Sequence, residues 1–141
     1  MHYNAPFFGL FENIFKLIKD DFGEEKAIEY FSKLMAVGLS KSYGSNFEKG
    51  DPNSFKNLVS ERDLAVGLRV EFPIVSENEI VYRFLDDPFP NLRGLIKYDS
   101  LESCYMQFKV DYLLGDNWTY TTEMHIWDGD EYIQHRITKN S

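Results

Sequence analysis

The stretch that most limits how this chain can fold is the alternating run on either side of Asp128-Gly129. Before it, Trp118, Tyr120, Thr122, Met124 and Ile126 occupy every second position, and Ile133, His135 and Ile137 do so after it. A two-residue period is that of a strand with one buried face, and Asp-Gly between two such runs is a strong hairpin signal. A two-residue loop lines the even-numbered face of the first strand up with Glu131, Ile133, His135 and Ile137. In that register His135 points inward between two isoleucines, and His125 points outward beside Glu123 and Trp127, so the two cannot share a metal. One extra residue would reverse this, because the side-chain period is 2.

Upstream of the hairpin the period changes to that of a helix. Leu101, Cys104, Tyr105, Phe108 and Tyr112 form one stripe, and Gly115-Asp116-Asn117 stops it. Asp99 and Glu102 have the spacing of a capping box, which predicts a single helix beginning at Asp99.

Earlier in the chain, Phe8, Phe11, Phe15, Ile18 and Phe22 lie on one helical face. Asp21-Phe22-Gly23 breaks that helix, and Glu24-Glu25 opens a second one running through Ile28, Phe31, Met35 and Leu39 to Tyr43-Gly44. The short link predicts an antiparallel helical pair. Residues 45–57 are polar and punctuated by Gly50 and Pro52, which predicts a loop with a helical turn around Phe55 to Val59. Two strands follow, Val66 to Ile74 and Ile80 to Phe84, and Asp86-Asp87-Pro88 ends the second. Helix, helix, strand, strand, helix, strand, strand predicts an α+β fold, with the helices covering one face of a small antiparallel sheet. With 141 residues and no linker, the chain 1–141 is expected to be one domain.

Charge and composition exclude several functions. A net charge of −8 without a basic stripe argues against nucleic-acid binding. One cysteine cannot form an internal disulfide, which fits a reducing compartment. The apolar start, Met1 to Phe22, is broken by Glu12, Lys16, Lys19 and Asp20 and lacks a basic opening and a small-residue cleavage site. It is therefore expected to be neither a signal peptide nor a membrane span, and the location expected is cytoplasmic. The 12 Phe, 9 Tyr and 2 Trp fit a well-filled core first; they also suit an internal apolar pocket or a dimer interface.

Strong catalytic and cofactor motifs are absent from the sequence, so no cofactor and no metal is expected. Cys104 near a helix start could carry a lowered pKa, though a cysteine on an apolar stripe is more often a small hydrophobe. A Cys104/His135 pair is the minimum for nucleophilic catalysis, against the simpler reading of His135 as a satisfied core histidine. Asp86-Asp87 is the one acidic pair not explained by local structure, and solvated loop charge is its simpler meaning.

The segment from Trp127 to Ile137 resembles the closing hairpin of the 4-vinyl-reductase domain group and of the related L-2-amino-thiazoline-4-carboxylic acid hydrolase family. In both, the hairpin follows a helix with a cysteine near its start, as Cys104 is here, and a strand ends in Cys-Pro where this chain has Asp87-Pro88. Of three family cysteine positions only Cys104 remains, with Asp87 and Ile133 at the others and Gln107 in place of an acid. The resemblance implies an α+β homodimer, paired through helices, that encloses a pocket for a small apolar or aromatic molecule. Tyr82, Tyr105, Phe108, Tyr112, Met124 and Ile133 would line that pocket, with Cys104, Asp87 and His135 as its polar groups. Two other readings stay open: a C–N hydrolase with Cys104 as nucleophile and His135 as base, and an assembly module with a packed interior and no ligand site.

Overall fold

The computed structural model describes residues 3–141. It is an α+β fold in which an N-terminal helical pair and three further helices pack on one antiparallel sheet.

Helix α1 (Ala5–Phe22) starts where Asn4 accepts the Phe7 N–H at 3.1 Å, satisfying one of the free donors of the first turn. Gly23, at φ 93°, is the single residue between it and α2 (Glu24–Tyr43), a backbone angle that glycine adopts without strain. Phe8 and Phe15 of α1 and Ala27, Phe31 and Met35 of α2 are buried, and the Phe15 and Phe31 rings meet edge to face at 5.6 Å. The predicted pair therefore forms.

The predicted loop at 45–57 is shorter in the structure. Asp51 accepts the Ser54 N–H, Pro52 sits in the first turn, and a full helix α3 (Pro52–Ala65) follows instead of one turn. An Asp-Pro start followed by Phe55 and Val59 on one buried face accounts for the extra length. Val66, expected to open the first strand, instead ends α3, and β1 (Val70–Val75) begins four residues later.

The sheet runs β1, β2 (Glu79–Phe84), β4 (Ile133–Lys139), β3 (Trp118–Met124), all antiparallel. Ile80, Tyr82, Phe84, Ile133, His135 and Ile137 point to the covered face and are buried. The opposite face carries ion pairs, Arg83–Glu71 at 2.7 Å and Arg136 with both Glu79 and Glu123 at 2.9 Å.

The predicted single helix at 99–112 is two, α4 (Tyr98–Ser103) and α5 (Met106–Leu113), with the break at Cys104 and Tyr105. The capping box does not form. Lys97 occupies the cap, and Asp99 lies inside the first turn. Glu102 instead turns into the core, where Thr122 donates to its Oε1 at 2.8 Å.

The hairpin keeps the predicted register over its outer part: Tyr120 faces Ile137, and Thr122 faces His135. Nearer the turn it departs from expectation. A bulge between Thr122 and Met124, a 3-10 turn at Ile126–Asp128 and Gly129 at φ 97° replace the two-residue loop. The extra residue reverses the alternation, so His125, expected to point outward, is buried.

Candidate functional site

Helices α1, α2 and α3, the end of β2 with the 88–89 segment after it, and the start of α5 line an apolar pocket of about 360 Å³ that is open to solvent on one side. Phe8, Phe11, Met35, Leu39, Phe84 and Phe89 supply much of its wall, and Gly38 leaves room there because nothing lies within 4 Å of where its Cβ would be.

Its polar floor consists of groups that periodicity places on buried stripes. Asp63 continues the Phe55–Val59 stripe of α3, and Lys109 continues the Leu101–Tyr105 stripe of α4 and α5. Asp63 is 7 % exposed and Lys109 5 %. Tyr82, wholly buried on β2, joins them: its hydroxyl donates to Asp63 Oδ2 and accepts from Lys109 Nζ at 3.2 Å. Lys109 Nζ and Asp63 Oδ1 are 3.9 Å apart. Burial pushes the Asp63 carboxyl up and the Lys109 amine down, and each opposes the other's shift by its charge.

A second buried cluster lies in the core beneath the hairpin. Glu102 Oε2 is 3.5 Å from His135 Nε2 and 3.6 Å from His125 Nε2. Thr122 gives its one hydroxyl proton to Glu102 Oε1, so its oxygen accepts from His135 Nδ1–H at 3.1 Å. The Trp127 N–H donates to His125 Nδ1 at 3.0 Å, which leaves the His125 proton on Nε2. Burial raises Glu102 to about 8 and lowers His125 to about 4 and His135 to about 3. Among the described residues no group of three or more His, Cys, Asp and Glu side chains could hold a metal ion. The His125 tautomer agrees, since a protonated Nε2 cannot be a ligand.

Of the sequence-predicted site residues, Tyr105 lines the cavity and Tyr82 lies beneath it. Phe108 and Tyr112 stack on each other at 5.1 Å, and the Tyr112 hydroxyl donates to the Gly44 carbonyl. Ile133 is core, paired with Phe84, and Met124 sits at the bulge opposite Gln134. Asp87 accepts from Trp127 Nε1 at 2.7 Å and from the Phe89 N–H at 3.0 Å, tying the 84–89 loop to the hairpin. The Cys104 thiol points at the carbonyls of Ile28 and Ser100, at 3.6 and 3.8 Å, and burial raises its pKa. His135 is engaged with Thr122 and Glu102. Cys104 and His135 therefore share no hydrogen bond among the described residues. Sequence reasoning missed Asp63, Lys109 and Glu102, whose signal was a charge on an apolar helical stripe.

No protein-family model matches the chain, and no curated protein matches it. Among solved structures it is similar to the phenol-responsive sensory domain of the transcription activator PoxR, solved with phenol. The chain shares that fold. The TM-score is 0.53 at 15 % identity, over 97 % of this chain and 74 % of that one. At such identity the likeness to the PoxR domain is one of architecture, and no described helix is long and apolar enough to cross a membrane.

Proposed function

We propose that residues 1–141 form a single ligand-binding domain, a divergent relative of the vinyl-reductase-like group, that holds a small apolar or aromatic molecule. The observation that carries this reading is the cavity itself. At about 360 Å³ it lies in the range of small-molecule pockets, with a mostly apolar lining and few polar groups: Ser42, Arg62, Asp63 and Lys109, the last two joined beneath it by Tyr82. The phenol held by the PoxR sensory domain supports the same class of ligand.

The hydrolase reading is weaker, because a nucleophilic cysteine needs a lowered pKa or an adjacent base, and Cys104 has neither. An assembly module with a filled interior is disfavoured by the cavity. Homodimerisation through the N-terminal helices is supported by their outer faces: Leu10 and Leu17 on α1, and Tyr30 and Val37 on α2, are exposed at seven-residue spacing. A cytoplasmic location accompanies this reading.

The test is a thermal melt with and without phenol or benzyl alcohol, together with native mass spectrometry of the freshly purified protein. A rise in melting temperature that Gly38→Trp abolishes supports the proposal, since the indole occupies the cavity. An unchanged melt with a ligand-free mass refutes it.

A further inference from the structure

The least explained group in the cavity is the Lys109 amine. It has one hydrogen bond, to the Tyr82 hydroxyl at 3.2 Å, and its separation of 3.9 Å from Asp63 Oδ1 is too long for a second. The rings of Tyr82, Phe84 and Tyr105 surround it, with centroids 5.3, 5.5 and 5.8 Å away. An ammonium there leaves two N–H groups without acceptors, whereas a neutral amine leaves one N–H over the rings and a free lone pair. Burial favours the neutral form, opposed by the Asp63 charge. A desolvated lysine amine with a proton-exchanging neighbour, facing an apolar cavity, has the makings of a nucleophile toward carbonyl carbon.

We propose that Lys109 captures an apolar aldehyde or ketone in this cavity as a reversible imine. The inference rests on the cavity being a ligand site and adds the chemical class of ligand. The Nζ lone pair attacks the carbonyl carbon, and the C–N bond forms as the C=O π pair moves to oxygen. One N–H proton passes to that oxygen, giving a carbinolamine. The hydroxyl then takes a further proton and leaves as water, and the nitrogen loses its second proton as C=N forms. Amine and carbonyl thus give imine and water, with no oxidant or reductant. Tyr82 and Asp63, already hydrogen-bonded in line with Nζ, relay the protons.

The experiment is reductive trapping of the intact protein with benzaldehyde and sodium cyanoborohydride at neutral pH, read by peptide mapping. The expected result is one benzyl group on Lys109, formed faster than on any of the other nine lysines. The margin is on the order of tenfold for each unit by which the amine pKa is lowered. Excess benzyl alcohol, which fits the cavity and has no carbonyl, should suppress it, and Lys109→Arg should remove it. Should that variant fail to fold, the map of the unsubstituted protein still decides. Benzyl groups on surface lysines with Lys109 unmodified overturn the proposal. If benzyl alcohol nonetheless raises the melting temperature, the imine falls and the ligand site stands; if it does not, both fall.

Discussion

Glu102 Oε2 and His135 Nε2 face each other at 3.5 Å in the core, and neither has a hydrogen-bond partner. Because Thr122 fixes the His135 proton on Nδ1, both facing atoms present lone pairs. One proton must lie between them for the pair to be stable, and burial places it on the carboxyl, whose pKa rises to about 8.

A pH profile of stability follows with two limbs. Native Glu102 keeps a proton that the unfolded chain releases above its ordinary value of 4.5, so stability falls as pH rises toward 8. Native His125 and His135 stay neutral where the unfolded chain takes up protons below 6.5, so stability also falls as pH drops. Between 4.5 and 6.5 two histidine protons oppose one carboxyl proton, which leaves a maximum near the ordinary histidine value of 6.5. Each limb is expected to slope by up to about 1.4 kcal/mol per pH unit. Denaturant melts from pH 5 to 9 measure this, and Glu102→Gln should flatten the alkaline limb and steepen the acid one, where no carboxyl proton then opposes the two histidine protons.

Removing one member of the Asp63–Lys109 pair should cost far more than removing both. Lys109→Met or Asp63→Asn leaves a buried polar group without its counterpart, at about 3–5 kcal/mol. The double variant should recover at least half of the sum, read as a coupling energy in a double-mutant cycle. Additive losses would mean that the two side chains do not interact.

Cys104 should resist iodoacetamide in the native state and react fully once the protein is unfolded. Its thiol is buried, faces two carbonyls and is raised in pKa, so the thiolate is scarce. Rapid native alkylation, followed by intact mass, would restore the hydrolase reading.

If the helical pair forms the dimer interface, one charge on its outer face should break it. Leu17 and Val37 are 64 and 67 % exposed in the single chain, so Leu17→Lys and Val37→Lys should leave the fold intact. Light scattering should then report a monomer. A variant that remains dimeric moves the interface elsewhere.

Most of the architecture could be read directly from periodicity. Phe8, Phe15 and Phe31 marked the helical pair, and Tyr120 opposite Ile137 marked the outer hairpin, because hydrophobic burial leaves a repeat in the sequence. What periodicity could not show was where one residue is added. The bulge at Thr122/Met124 inverted His125, and the break at Cys104–Tyr105 split one helix in two; neither alters the hydrophobic repeat that was read. The polar floor was hidden for a related reason. Asp63 and Lys109 lie 46 positions apart, and only the fold brings the two together through Tyr82.

The first strand also bears on assembly. β1 is an edge of the sheet, and its ladder is interrupted between Glu71 and Ile74, around Pro73, which has no N–H to offer. An incoming strand would find no continuous row of donors and acceptors there, so this edge is a poor template for fibre-like growth. Copies of the chain are thereby steered away from joining sheet to sheet at β1.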